Sequence, residues 1–108
     1  MSSTEVERAG VLRHEKQGHV GVVTFDNPSK FNAVNYDMWC ALPRVMDEFA
    51  ADPDIRVVML TGAGNKAFVS GADISQFKDR REGDAADAYN LATAAGYAAV
   101  LSCPKPTV

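Results

Sequence analysis

Asp52-Pro53-Asp54-Ile55-Arg56-Val57-Val58-Met59-Leu60-Thr61-Gly62 decides the fold class. Asp-Pro-Asp is a stop followed by a turn, and Ile55 to Thr61 is a short, β-branched apolar run that ends on glycine, which predicts a strand buried on both faces. Immediately upstream, Met38, Leu42, Val45, Met46 and Phe49 recur at helical spacing behind Asn35, which is placed as an N-cap. Pro43 falls inside that helix, removes one backbone donor and predicts a kink. Further upstream, Val11 to Lys16 and His19 to Phe25 are two extended runs separated by Gln17-Gly18, the pattern of a hairpin. Asp26-Asn27-Pro28-Ser29 then breaks the strand pattern with turn formers. Strand, helix and strand in this order predict a βαβ crossover, and so an α/β sheet with a parallel pair.

Downstream of the deciding strand, Thr61-Gly62-Ala63-Gly64-Asn65-Lys66-Ala67 fits G-x-G-x-x-A. A dinucleotide loop would open a helix at this point. Instead Lys66-Ala67-Phe68-Val69-Ser70 reads as a second brief extended piece, so the glycines are read as a turn between strands, and a nucleotide-binding fold is the third-ranked alternative. A long helix is predicted from about Asp84 to Cys103, with Tyr89, Ala92, Gly96, Ala99 and Val100 as a small-residue packing face. After it, Pro104-Lys105-Pro106 stops the helix, and Pro106-Thr107-Val108 has the extended bias of a strand entry.

The segment with most chemical content is Ser70-Gly71-Ala72-Asp73-Ile74-Ser75-Gln76-Phe77. With Asp73 as N-cap, Gln76 falls at N3 of a capping box, and Ala72 and Phe77 take the two positions of a hydrophobic staple. Gly71 permits a sharp reversal, and the Ala72 N–H, just outside the helix, is left to point at a ligand. Partial positive charge at a helix N-terminus stabilises an oxygen that becomes negative during a reaction. Local chemistry by itself favours the plainer account, a well-capped helix.

Composition excludes several classes. The chain has 108 residues, 46% hydrophobic and 23% charged, with a formal charge of −3, which describes an ordinary globular domain. Its eleven Lys and Arg residues are scattered, and Lys78-Asp79-Arg80-Arg81-Glu82 interleaves bases with acids, so no nucleic-acid partner is expected. Cys40 and Cys103 form no CxxC pair, and His14 and His19 lie in strand-like runs; neither a disulfide framework nor a metal site is expected. No basic, apolar leader or spanning-length apolar run is present, which sets the expectation of a cytoplasmic protein without a membrane partner.

The ordered segments Asn27-Pro28 with Asn32-Ala33, the helix with Met38 and Leu42, Asp52 to Val58, Leu60-Thr61-Gly62-Ala63-Gly64 and Ala67 to Ile74 resemble the crotonase, or enoyl-CoA hydratase/isomerase, superfamily. The resemblance covers most of the chain from about Gly18. It implies a crotonase-like α/β fold of repeated ββα units, of which residues 1–108 would be the N-terminal portion of a single domain. It implies an acyl-CoA thioester enzyme, with hydration of a 2,3-enoyl-CoA as the leading activity and double-bond isomerase or another family reaction as the alternative. Coenzyme A enters as part of the substrate and no separate cofactor is implied; the assembly implied is a homotrimer or hexamer. By the same resemblance the Ala72 amide is one of two donors to the thioester carbonyl oxygen, and Ala72, Asp73, Ile74, Ser75, Lys30, Phe31 and Ala33 contact substrate. Lys30 is placed near phosphate, with a solvated lysine as the alternative. Gly71, Asp73 and Gln76 are assigned structural roles. The second donor and the catalytic acids are implied to follow the Pro-x-Pro-x-Val stretch matched by Pro104 to Val108, so the 108-residue chain is expected to turn over little or nothing. A non-catalytic assembly module is the competing reading from a different class.

Overall fold

A computed structural model of the chain describes residues 10–64, 68–69 and 82–108, the side chains of 82–86 excepted. Two antiparallel strands, β1 (Val11–Gln17) and β2 (Val20–Asp26), form the expected hairpin, with Val11 opposite Asp26 and Gln17 opposite Val20. The turn residues are Gly18 and His19, one position later than the sequence placed them. Gly18 has φ +62° and His19 is not among the positive-φ residues, which is the type II′ pattern that matches strand twist.

Helix α1 (Tyr36–Ala51) begins where the sequence predicts: the Asn35 side chain accepts a hydrogen bond from the Met38 N–H at 2.8 Å. A cap of this kind is worth about 1 kcal/mol. Pro43 sits inside an uninterrupted helix. All five residues of the predicted apolar face are buried, joined by Trp39. Asp52 to Ile55 then form a tight turn, with the Ile55 N–H donating to the Asp52 carbonyl at 3.1 Å. Ile55 is therefore buried in a turn, and strand β3 (Val57–Gly62) starts two residues later than the sequence indicated. β3 pairs with β2 in parallel, Val20 opposite Val57 and Phe25 opposite Gly62, which confirms the α/β crossover.

The second helix, α2 (Glu82–Leu101), lies against α1 through the small-residue face. Tyr89 is part of the core, Ala92, Ala99 and Val100 pack on it, and Gly96 is buried over Trp39. The Trp39 indole N–H donates to the Tyr89 hydroxyl at 2.8 Å, and that hydroxyl donates to the Val34 carbonyl at 2.6 Å, so the polar atoms of Trp39 and Tyr89 are bonded within the joint between the helices.

The expectation that β3 is buried on both faces is corrected. Val58 is fully buried under α1, but Met59, pointing to the opposite face, is 36% exposed. Successive strand residues alternate sides, and among the described residues both helices belong to one side of the sheet. The predicted strand entry at the C-terminal end is present: Val58 donates to the Pro106 carbonyl at 2.9 Å, Val108 to Val58 at 3.0 Å and Leu60 to Val108 at 2.8 Å. Residues 106–108 thus extend the sheet on the far edge of β3, parallel to it. Phe68 and Val69 belong to no strand; Lys66, Ala67 and Ser70, the rest of the predicted extended piece, lie outside the described residues.

Candidate functional site

Parallel strands deliver their carboxyl ends to a common edge, and in open α/β sheets ligands bind in the crevice beyond that edge. Here β2 ends at Asp26 and β3 at Gly62, so the loops that follow them are neighbours. The first loop is built by asparagines. Asn27, 3% exposed, leads a short 3-10 turn (Pro28–Lys30), and its carbonyl accepts from both the Lys30 and Asn32 N–H groups, at 3.0 and 2.8 Å. Its side-chain amide donates to the Ala33 carbonyl at 2.7 Å.

Asn32 is 1% exposed and joins the two loops. Its Oδ1 accepts from the Asn27 N–H at 2.8 Å, and its Nδ2 donates to the Ala63 carbonyl, past the end of β3, at 2.9 Å. The Ala63 N–H returns a bond to the Phe25 carbonyl at 2.9 Å. Phe31 and Asn32 hold consecutive left-handed conformations, φ 55° and 62°. Such backbone costs on the order of 1 kcal/mol or more per residue outside glycine, and asparagine tolerates it better than most. The strain is held by the two bonds of Asn32.

The predicted contact residues of this loop separate by exposure. Lys30 is exposed, Phe31 is 54% exposed, and Ala33 is 7% exposed with its carbonyl taken by Asn27. Lys30 and Phe31 are therefore open to solvent on this loop, whereas Ala33 is packed inside it. Across from them Gly64 has φ 75°, and Phe68 stands edge-on to Phe25 with ring centroids 5.7 Å apart. Gly71, Ala72, Asp73, Ile74, Ser75 and Gln76 lie outside the described residues. The sequence reading missed the bridging role of Asn32; the available signal was an Asn five residues after another Asn, flanking a proline turn, where a left-handed residue is needed to reverse the chain.

Against this geometry, the family model of the enoyl-CoA hydratase/isomerases matches residues 15–108. The chain belongs to the enoyl-CoA hydratase/isomerase family. Its fold is that of a solved member, the enoyl-CoA hydratase/carnithine racemase of Magnetospirillum magneticum, with a TM-score of 0.80 at 37% identity over 89% of this chain and 36% of that one. Among curated members it is 46% identical over 65 residues to the short-chain-enoyl-CoA hydratase of Clostridium acetobutylicum, covering 60% of this chain and 25% of that protein. It is 31% identical over 108 residues to the mitochondrial 3-hydroxyisobutyryl-CoA hydrolase of Rattus norvegicus, 98% of this chain and 28% of that protein. The chain thus spans between a quarter and little more than a third of the length of these family members.

Proposed function

We propose that this chain contributes the first half of an acyl-CoA thioester site whose leading reaction is addition of water across the double bond of a 2,3-enoyl-CoA. The observation that carries the reading is the Asn32 bridge, which fixes two loops at the carboxyl ends of parallel strands in a member of a family whose named relatives handle CoA thioesters. Phe31 and Lys30, open to solvent on the first of these loops, are assigned to the nucleotide end of the substrate. The Ala72 N–H is assigned to the thioester carbonyl, Gly71 to the reversal that exposes it, Asp73 and Gln76 to capping the helix that follows, and Ile74 and Ser75 to the substrate wall.

In this mechanism the protein contributes a fixed dipole where negative charge grows on the carbonyl oxygen as an enolate-like state forms. One such donor is worth roughly 2.7–4 kcal/mol of barrier. No carboxylate in the chain is assigned to water activation, because Asp73 beside an enolate would oppose the developing charge. The second donor and the acid–base groups are assigned to sequence following Val108, and the proposed assembly is a trimer or a pair of trimers in the cytoplasm.

Two measurements test this. The purified 108-residue chain is expected to hydrate a short enoyl-CoA no faster than background, and hydration above background would overturn the half-site assignment. Infrared difference spectra with a carbonyl-labelled enoyl-CoA are expected to show the C=O band shifted to lower frequency by the parent chain and unshifted by Ala72→Pro, which lacks the N–H. An equal shift in both proteins would remove Ala72 from the site.

A further inference from the structure

We propose that Lys105 is a positioning residue: it pins the register in which residues 106–108 join β3, and so sets where chain continuing from Val108 enters the crevice. The last clause rests on the function proposed above; the pin itself does not.

Residues 106–108 join the sheet through three hydrogen bonds around Val58 and Leu60. Side chains alternate between the two faces of a strand, so a slip of one residue would exchange the faces of Thr107 and Val108. A contact that fixes which residue enters the pairing first is present next door. Lys105 Nζ donates to the Phe49 carbonyl at 2.7 Å and to the Asp52 carbonyl at 2.5 Å, at the C-terminal end of α1. Terminal carbonyls of a helix lack intrahelical donors and carry partial negative charge, so an ammonium is well matched to them. The proline on either side of Lys105 restricts the backbone leading into and out of the contact.

Asp52 receives two lysines through different atoms. Its carboxylate pairs with Lys16 of β1 at 2.9 Å, which, with a backbone hydrogen bond from Asp54, holds its pKa below the ordinary value. Its carbonyl accepts from Lys105 as well as from the Ile55 N–H of the turn. The start of the sheet extension is thus tied to the same turn that feeds β3, and the distance from Lys105 to Val58 is set by covalent chain on both sides. Because 106–108 runs parallel to β3, its carboxyl end points to the edge where the loops after β2 and β3 meet.

β3 supplies its own control. The N–H groups of Val58 and Leu60 face 106–108, so by alternation those of Met59 and Thr61 face β2. Hydrogen exchange followed by NMR on the ligand-free 108-residue chain is expected to show protection at Val58, Leu60 and Val108 falling about tenfold or more in Lys105→Met, with Met59, Thr61 and Val23 changed by less than about twofold. Lys105→Arg, which keeps donors for the two carbonyls, is expected to retain most of the protection. Parent-level protection at Val58 and Val108 in Lys105→Met would overturn the proposal, and so would equal loss at Val58 and Met59, which would make Lys105 a general stabiliser and not a register pin. Neither result bears on carbonyl polarisation by Ala72.

Discussion

The two helices of this chain are of similar length and opposite character. α1 is amphipathic: Met38, Leu42, Val45, Met46 and Phe49 are buried, and Asp37, Arg44, Asp47 and Glu48 are exposed. α2, beyond the exposed Asp87 and Asn90 of its first half, is apolar on both sides. Tyr89, Gly96 and Tyr97 meet α1, yet Leu91 and Leu101 are 73% and 84% exposed, with Ala94, Ala95 and Ala98 between them. A helix that is apolar all round is ordinarily covered all round. The difference teaches that α1 has its complete environment among the described residues, whereas α2 has half of one.

That contrast can be broken from either side. The largest effect is expected in α1: Leu42→Ala, at 2% exposure in the middle of the core, should lower unfolding free energy by about 2–5 kcal/mol in urea titrations followed by circular dichroism. A loss below about 1 kcal/mol would mean that α1 is not the packed centre. A smaller effect is expected at the joint. A Cβ on Gly96 would lie 2.6 Å from the Trp39 ring, so Gly96→Val should cost about 1–3 kcal/mol by overpacking. It should also change the indole fluorescence of the folded protein, which a substitution on the far side of α2 should not. The smallest effect is expected on the open face, where Leu91→Gln combined with Leu101→Gln should stay within about 0.5 kcal/mol of the parent. A clear destabilisation by that pair would show the face to be covered already.

The same contrast explains what could be read from the residues beforehand. The hairpin, the Asn35 cap, the parallel crossover and the packing face of α2 were legible because each rests on local chemistry or on a repeating spacing. The one-sided burial of β3 was not: a run such as Val57-Val58-Met59-Leu60 is apolar on both faces, and which face is covered depends on where the helices lie. The Lys105 contact was hidden for a related reason, since a lysine between prolines carries no sign of carbonyls some fifty positions earlier. At the site, Asn27-Pro28 and Asn32-Ala33 stood out as family segments, but the left-handed pair and the Asn32 bridge are tertiary facts. The turn Ser70 to Asp73 keeps, as a proposal for experiment, the role that the family resemblance gave it.

Trp39 is the sole tryptophan of the chain. Its indole N–H is bonded to Tyr89, its ring lies 5.2 Å from that of Tyr97, and Gly96 passes over its edge, all three residues belonging to α2. The molecule therefore carries a built-in optical reporter for one joint. Transfer from the two tyrosines of α2 to Trp39 weakens when that helix leaves its seat, whereas transfer from Tyr36, on the same helix as the indole, does not depend on that seat, so the change in tyrosine-excited indole emission reports docking of α2.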